Sequence, residues 1–167
     1  MKKIFALFLL TFTLSFASNA VAQTSPIEIV TGHPDLNIKV KRCAASGNTV
    51  ILDMIFTNTG TQDADFEIWG SYASNSEFYD DEGNSYHGND LWGKATVKFA
   101  NAPKYDASAE NKKLLAGVPT KVSFKITDVP VSAQNIALVE LGIKSQVFDM
   151  NLYNKKTQLR NIPITRK

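Results

Sequence analysis

The sequence has little of several things that chains of its length commonly use. A single cysteine, Cys43, is the whole thiol content of 167 residues. No internal disulfide can form, and a lone thiol at the end of an alternating strand reads as a small buried hydrophobe. The two histidines, His33 on an N-terminal arm and His87 in a turn region, stand far apart, and neither a Gly-x-Ser-x-Gly elbow nor a His-Glu-x-x-His pair occurs. Nucleophilic catalysis needs a base oriented by a third group. The chain therefore reads as non-catalytic, with a small hydrolase as the last of three readings. Helical periodicity is also missing: the nearest case, Ser132–Asn135, is long enough for one turn only.

Long apolar runs are equally scarce. The one uncharged stretch, Ile4 to Phe16, follows Lys2-Lys3 and leads to Ala20-Val21-Ala22. A positive flank, a short apolar core and a small-x-small ending are the parts of a secretory signal peptide, so residues 1–22 are expected to be removed. The run falls short of the roughly 20 residues that a membrane-spanning helix needs. No transmembrane segment is expected after cleavage, and the product is expected to be exported, to the periplasm or beyond. Because Lys2 and Lys3 leave with the signal, the remaining chain carries as many acids as bases. The global basic excess of a nucleic-acid binder is absent.

What is present is strand after strand. Thr49–Asn58, TVILDMIFTN, sets Val50, Leu52, Met54 and Phe56 on one face and Ile51, Asp53 and Ile55 on the other. A segment this apolar on both faces belongs in the middle of a sheet. Leu36–Lys41 alternates before it, and Ala64–Tyr72, Glu77–Asp81, Lys94–Ala100, Lys121–Thr127, Ile136–Lys144, Gln146–Leu152 and Thr157–Ile164 follow, separated by turn residues. Asn101–Lys113 has no period and reads as a loop. With no helices to carry parallel crossovers, the pattern predicts an all-β fold. The expected form is an antiparallel immunoglobulin-like two-sheet sandwich of about seven to nine strands over residues 35–167, preceded by an arm or short edge strand at 23–34.

The phrases GNTVILDMIFTNTG, YDDEGNSY, LAGVPTKVSFKITDVP and LRNIPI resemble the bacterial secreted immunoglobulin-like, or telokin-like, domains of unknown function, of a type found in Bacteroidetes. The resemblance implies an immunoglobulin-like sandwich in the cell envelope. It brings no catalytic residues, and the true immunoglobulin Cys…Trp…Cys spacing is absent.

Two features suggest where a site could lie. Half of the sixteen acids fall between Asp63 and Asp90, a stretch without Lys or Arg, whereas Lys144–Lys167 is basic. Nine aromatics lie between Phe66 and Tyr105. Tyr and Trp supply flat amphipathic area at low entropic cost, so Trp69, Tyr72, Tyr79, Tyr86 and Trp92 are the candidate binding residues. Their partner would be an envelope or extracellular protein, or a glycan. Asp80-Asp81-Glu82-Gly83-Asn84 offers clustered oxygens on a sharp turn, as calcium requires. Asp80, Glu82, Asn84 and Asp90 are the candidate ligands, which gives the alternative of a calcium-stabilised structural or accessory module.

Overall fold

The computed structural model describes residues 25–70, 76–87, 94–99, 102, 104–106, 109–145 and 156–166, and every regular element within them is a strand. Thr49–Asn58 forms β3, the middle of a five-stranded sheet. β2 (Leu36–Ser46) and β8 (Pro119–Ile126) flank it, with β12 (Thr165–Arg166) and β6 (Ala95–Phe99) outside them. Val50, Leu52, Met54 and Phe56 are completely buried. Each contributes on the order of 1.5–3 kcal/mol by leaving water, which makes β3 the anchor of the core.

The opposite layer has two parts. One carries β1 (Glu28–Val30), β11 (Thr157–Pro163), β9 (Asn135–Leu141) and β5 (Glu77–Asp80), in that order. The other carries β10 (Ile143–Ser145), β4 (Ala64–Trp69) and β7 (Ala109–Leu114). β9 and β10 are one run divided at Gly142, whose carbonyl accepts the Trp69 N–H at 3.0 Å, so the two parts join there. All buried hydrophobic residues form one cluster. Phe78 of β5 meets Phe124 of β8 across it, ring centroids 5.2 Å apart. Every pairing of named strands is antiparallel except the short β12–β2 contact. The fold is an immunoglobulin-like two-layer β-sandwich, and no helix among the described residues is long and apolar enough to cross a membrane.

Several details differ from the strand pattern of the sequence. The described strands number twelve, because the break at Gly142 and pieces of two or three residues add to the seven to nine expected. Asn101–Lys113 is not all loop: Ala109–Leu114 is a strand paired with β4. It lies at a sheet edge, where Asn111, Lys112 and Lys113 stay exposed and hide the alternation. The arm at 23–34 is tied down by Glu28–Val30 pairing with Gln158–Arg160. His33 is buried rather than loose, packed edge-on against Phe66 at 5.2 Å, and its burial pulls the imidazole below the usual histidine range against the opposing pull of Asp35. The Gln146–Leu152 candidate lies outside the described residues.

One irregularity positions the site described next. β2 and β3 pair residue for residue except between Val40 and Arg42, where Lys41 is an extra residue, a β-bulge. Leu36 and Ile38 face the core before the bulge and Cys43 faces it afterwards. Both Lys41 and Arg42 are exposed. A bulge lets consecutive basic residues reach solvent while the strand keeps its inward face.

Candidate functional site

Among the described residues, the candidate aromatics Trp69, Tyr79 and Tyr86 do not come together. Tyr86 is 2% exposed and belongs to the core, so it is not a surface anchor. Trp69 does lie opposite the buried Phe66 and Ile68, half-buried on the outer side of β4. Tyr79 is half-buried on β5, in a different sheet, and donates its hydroxyl to Glu77 at 2.7 Å. That bond, ahead of desolvation, pushes the Tyr79 phenol up to about 12. Tyr72 and Trp92 lie outside the described residues.

The proposed calcium loop is a turn built around Asp80. Oδ1 of Asp80 accepts the Glu82 and Asn84 N–H groups at 3.0 and 2.9 Å. Oδ2 accepts the Asn84 side-chain amide at 2.9 Å and the Tyr86 hydroxyl at 2.6 Å. Gly83 takes φ 86° at the reversal, where a side chain would be strained. Asp80 is thus committed to its own turn, Asn84 turns its donor toward it, and Glu82 is exposed. Asp90 lies outside the described residues. No group of three or more His, Cys, Asp or Glu converges among the described residues in a way that could hold a metal.

The polar cluster that stands out lies on the outer face of the five-stranded sheet, around Asp53. Register places three rows across this face. The first is Lys39, Ile55, Lys121; the second is Arg42, Asp53, Ser123, Lys98; the third is Ala44, Ile51, Lys125, Thr96. Neighbouring strands lie about 4.8 Å apart and alternate residues about 6.8 Å apart, so the rows cover a flat patch about 14 Å on a side. Asp53 is 5% exposed. Its Oδ1 accepts the Ser123 hydroxyl at 2.6 Å. Its Oδ2 accepts Arg42 Nε at 3.0 Å and lies 2.8 Å from Arg42 Nη2 and 3.2 Å from Lys121 Nζ. Burial by itself would raise this carboxyl; the Ser123 hydroxyl, then Lys121 and Arg42, outweigh it and hold it below the usual carboxylate range.

Tyr105 completes the patch. Lys98 Nζ sits 4.6 Å and Lys125 Nζ 5.5 Å from its ring centroid, a cation–π arrangement. Burial and then the Asp53 charge raise the Tyr105 phenol, against a hydrogen bond with Ser123. The side chains of Arg42 and Lys121 remain 59% and 47% exposed, so both cations keep donors facing water. A carboxylate held ionised between two cations is no proton acceptor at neutral pH. What the arrangement can do is hold negative charge from outside.

The sequence carried a sign of this site that charge counting by segment missed. Asp53 interrupts an otherwise apolar strand, and Lys41-Arg42 breaks the alternation of β2 where the bulge lies. Lys98, Lys121 and Lys125 belong to strands distant in sequence from β2 and meet it only through the sheet order.

No family model matches the chain, and no curated protein does so either. Among solved structures it is similar to the PapD-like domain 7 of human CEP192, at 11% identity and a TM-score of 0.38, over 83% of this chain and 87% of that one. It is also similar to a family 123 glycoside hydrolase from Clostridium perfringens, at 7% identity and a TM-score of 0.41, over 84% of this chain. Here the likeness spans only 26% of the hydrolase. Neither likeness carries a functional argument.

Proposed function

We propose that the protein is an exported, non-catalytic binding module that holds an acidic glycan on the outer face of its five-stranded sheet. The observation that carries this reading is the concentration of Lys39, Lys41, Arg42, Lys98, Lys121 and Lys125 on a face whose central acid, Asp53, is buried and already paired. Such a face has a local positive potential although the chain without its signal is neutral. Export rests on the signal-like residues 1–22, and the telokin-like resemblance agrees with a place in the envelope.

Physical considerations favour a glycan over a protein. Protein interfaces depend on desolvated aromatic or aliphatic anchors, and none of the exposed large hydrophobic residues among those described, Ile27, Val30, Leu115, Val118 and Val131, belongs to the three rows of this face. The rows flank β3, whose backbone is paired on both sides, so no partner strand can be added there. A hydrophilic, flexible polyanion needs neither device. Binding of the mature protein to polygalacturonate, with neutral dextran as control, tests the reading. Affinity should fall steeply with salt, and Lys39→Gln combined with Lys125→Gln should weaken it about tenfold, since a face with fewer cations releases fewer counterions from the polyanion. Unchanged affinity in that double variant, or equal retention by neutral dextran, counts against it.

A further inference from the structure

Within this face, we infer that Arg42 and Lys121 form a subsite for a single carboxylate group of the glycan, with Asp53 as the residue that positions them. The inference rests on the reading of the face as the binding surface and names its chemistry. Arg42 Nη2 and Lys121 Nζ both lie within 3.2 Å of one oxygen, Asp53 Oδ2, which sets the two cationic nitrogens no more than about 6 Å apart. That separation lets the two oxygens of one planar carboxylate meet both cations at charge-assisted hydrogen-bond distances.

The guanidinium can pair with one carboxylate through two parallel bonds. Arg42 turns Nε and Nη2 toward Asp53, and its more than half-exposed side chain leaves Nη1 for a second planar acceptor. Lysine at 42 would keep the charge without the fork. Asp53 is anchored by Ser123 at 2.6 Å and sits on the central strand, so the cations are tethered to the middle of the sheet. An apolar residue in place of a buried, ion-paired carboxylate is often neutral or stabilising. Stability alone is therefore a weak reason for Asp53 to interrupt this strand.

The test turns on the sign of one effect. If Asp53 only adds negative charge to the patch, Asp53→Asn tightens binding of a polyanion. If it positions Arg42 and Lys121, Asp53→Asn weakens binding of polygalacturonate, by about three- to tenfold, because two long side chains must then be ordered by the ligand. Melting temperature is measured on the same samples, since a purely structural role lowers it and leaves affinity unchanged. Should Asp53→Asn fail to fold, Ser123→Ala removes one bond to Asp53 without altering charge, and it should weaken binding in the same direction. Arg42→Lys should reduce affinity for polygalacturonate, because it keeps the charge and removes the two-bond fork.

Unchanged or tighter binding by the folded Asp53→Asn variant overturns the subsite. If Lys39→Gln with Lys125→Gln still weakens binding, the reading of the face survives that loss. Binding of dextran sulfate but not polygalacturonate overturns the carboxylate assignment. Binding of poly-glutamate with no response to either polysaccharide overturns the glycan reading and the subsite together.

Discussion

Two carboxylates in this protein are buried almost alike, Asp53 at 5% and Asp80 at 3% exposure, and each is held by four donor groups, yet they are built for different ends. All of Asp80's partners lie within six residues of it and are neutral: two backbone N–H groups, an amide and a phenol. Asp53 draws on Arg42 of β2 and on Lys121 and Ser123 of β8, as much as 70 residues away, and two of these partners are cations. A neutral, local set closes a turn and leaves nothing over. The charged, cross-strand set leaves two cations with donors facing solvent. The comparison separates a carboxylate that stabilises from one that organises a surface.

The largest expected difference is in what each leaves behind. Asp80→Ala strands the Tyr86 hydroxyl in the core and undoes the β5 turn, and should cost about 3 kcal/mol, since an unsatisfied buried group alone costs about 1–3 kcal/mol. Asp53→Ala should cost less, about 1–2 kcal/mol, because Arg42 and Lys121 can turn to water and the Ser123 hydroxyl is the one buried donor that loses this acceptor. Urea unfolding of the two variants measures both, and equal losses would break the distinction. Tyr86→Phe removes only the 2.6 Å bond to Asp80 and should cost about 1–2 kcal/mol. Its effect on polygalacturonate binding should be nil, in keeping with a buried tyrosine that is no binding anchor.

Acid and salt divide the pair further. Both carboxyls are held below their ordinary range in the folded protein. Their contribution is therefore complete above the unfolded value of about 3.9 and is lost as pH falls through the lower folded values. Stability of the wild type should drop in this acid window, and the deficit of either Asp→Asn variant relative to wild type should shrink there. Salt near 1 M, with a Debye length of about 3 Å, should weaken the Asp53 contribution and spare that of Asp80, whose donors are uncharged. The same salt dependence for both variants, in melts at fixed pH, would show that the two sites do not differ in the way their partners imply.

How far the fold and the site are legible in the chain itself follows from the same physics. β3 and its inward face are legible because four large apolar residues at alternate positions admit one arrangement. β7 is not, since Asn111, Lys112 and Lys113 stay exposed in succession at a sheet edge and leave no alternation to announce it. The Glu82-Gly83 reversal is visible as a turn, but the commitment of Asp80 to Tyr86 depends on a tyrosine entering the core, which short-range pattern does not fix. The basic face is hidden for another reason. It is assembled from β2, β6 and β8, and only the strand order brings Lys39, Lys98 and Lys125 into one patch. Trp69 falls on the outward side as alternation implies, opposite Phe66 and Ile68.

The smallest effect expected concerns the bulge, and it tests whether the local sequence or the register fixes the Asp53 cluster. Lys41 is the extra residue between Val40, which pairs with Met54, and Arg42, which pairs with Asp53. Without it the strand would alternate throughout, with Val40 and Cys43 still inward and Arg42 still opposite Asp53. Deletion of Lys41 should therefore preserve the fold at a cost within about 1 kcal/mol, comparable to other changes on an exposed surface. Cys43 supplies the readout, because burial pushes its thiol up to about 12 and keeps it from reagents. In the deletion variant the thiol should stay as slow to label under native conditions as in the wild type, and only unfolding should release it. Fast labelling would mean that β2 has slipped by one residue, turning Cys43 outward and Arg42 away from Asp53. The bulge would then be a fixed part of the register, and the binding face would depend on Lys41 for its geometry as well as for its charge.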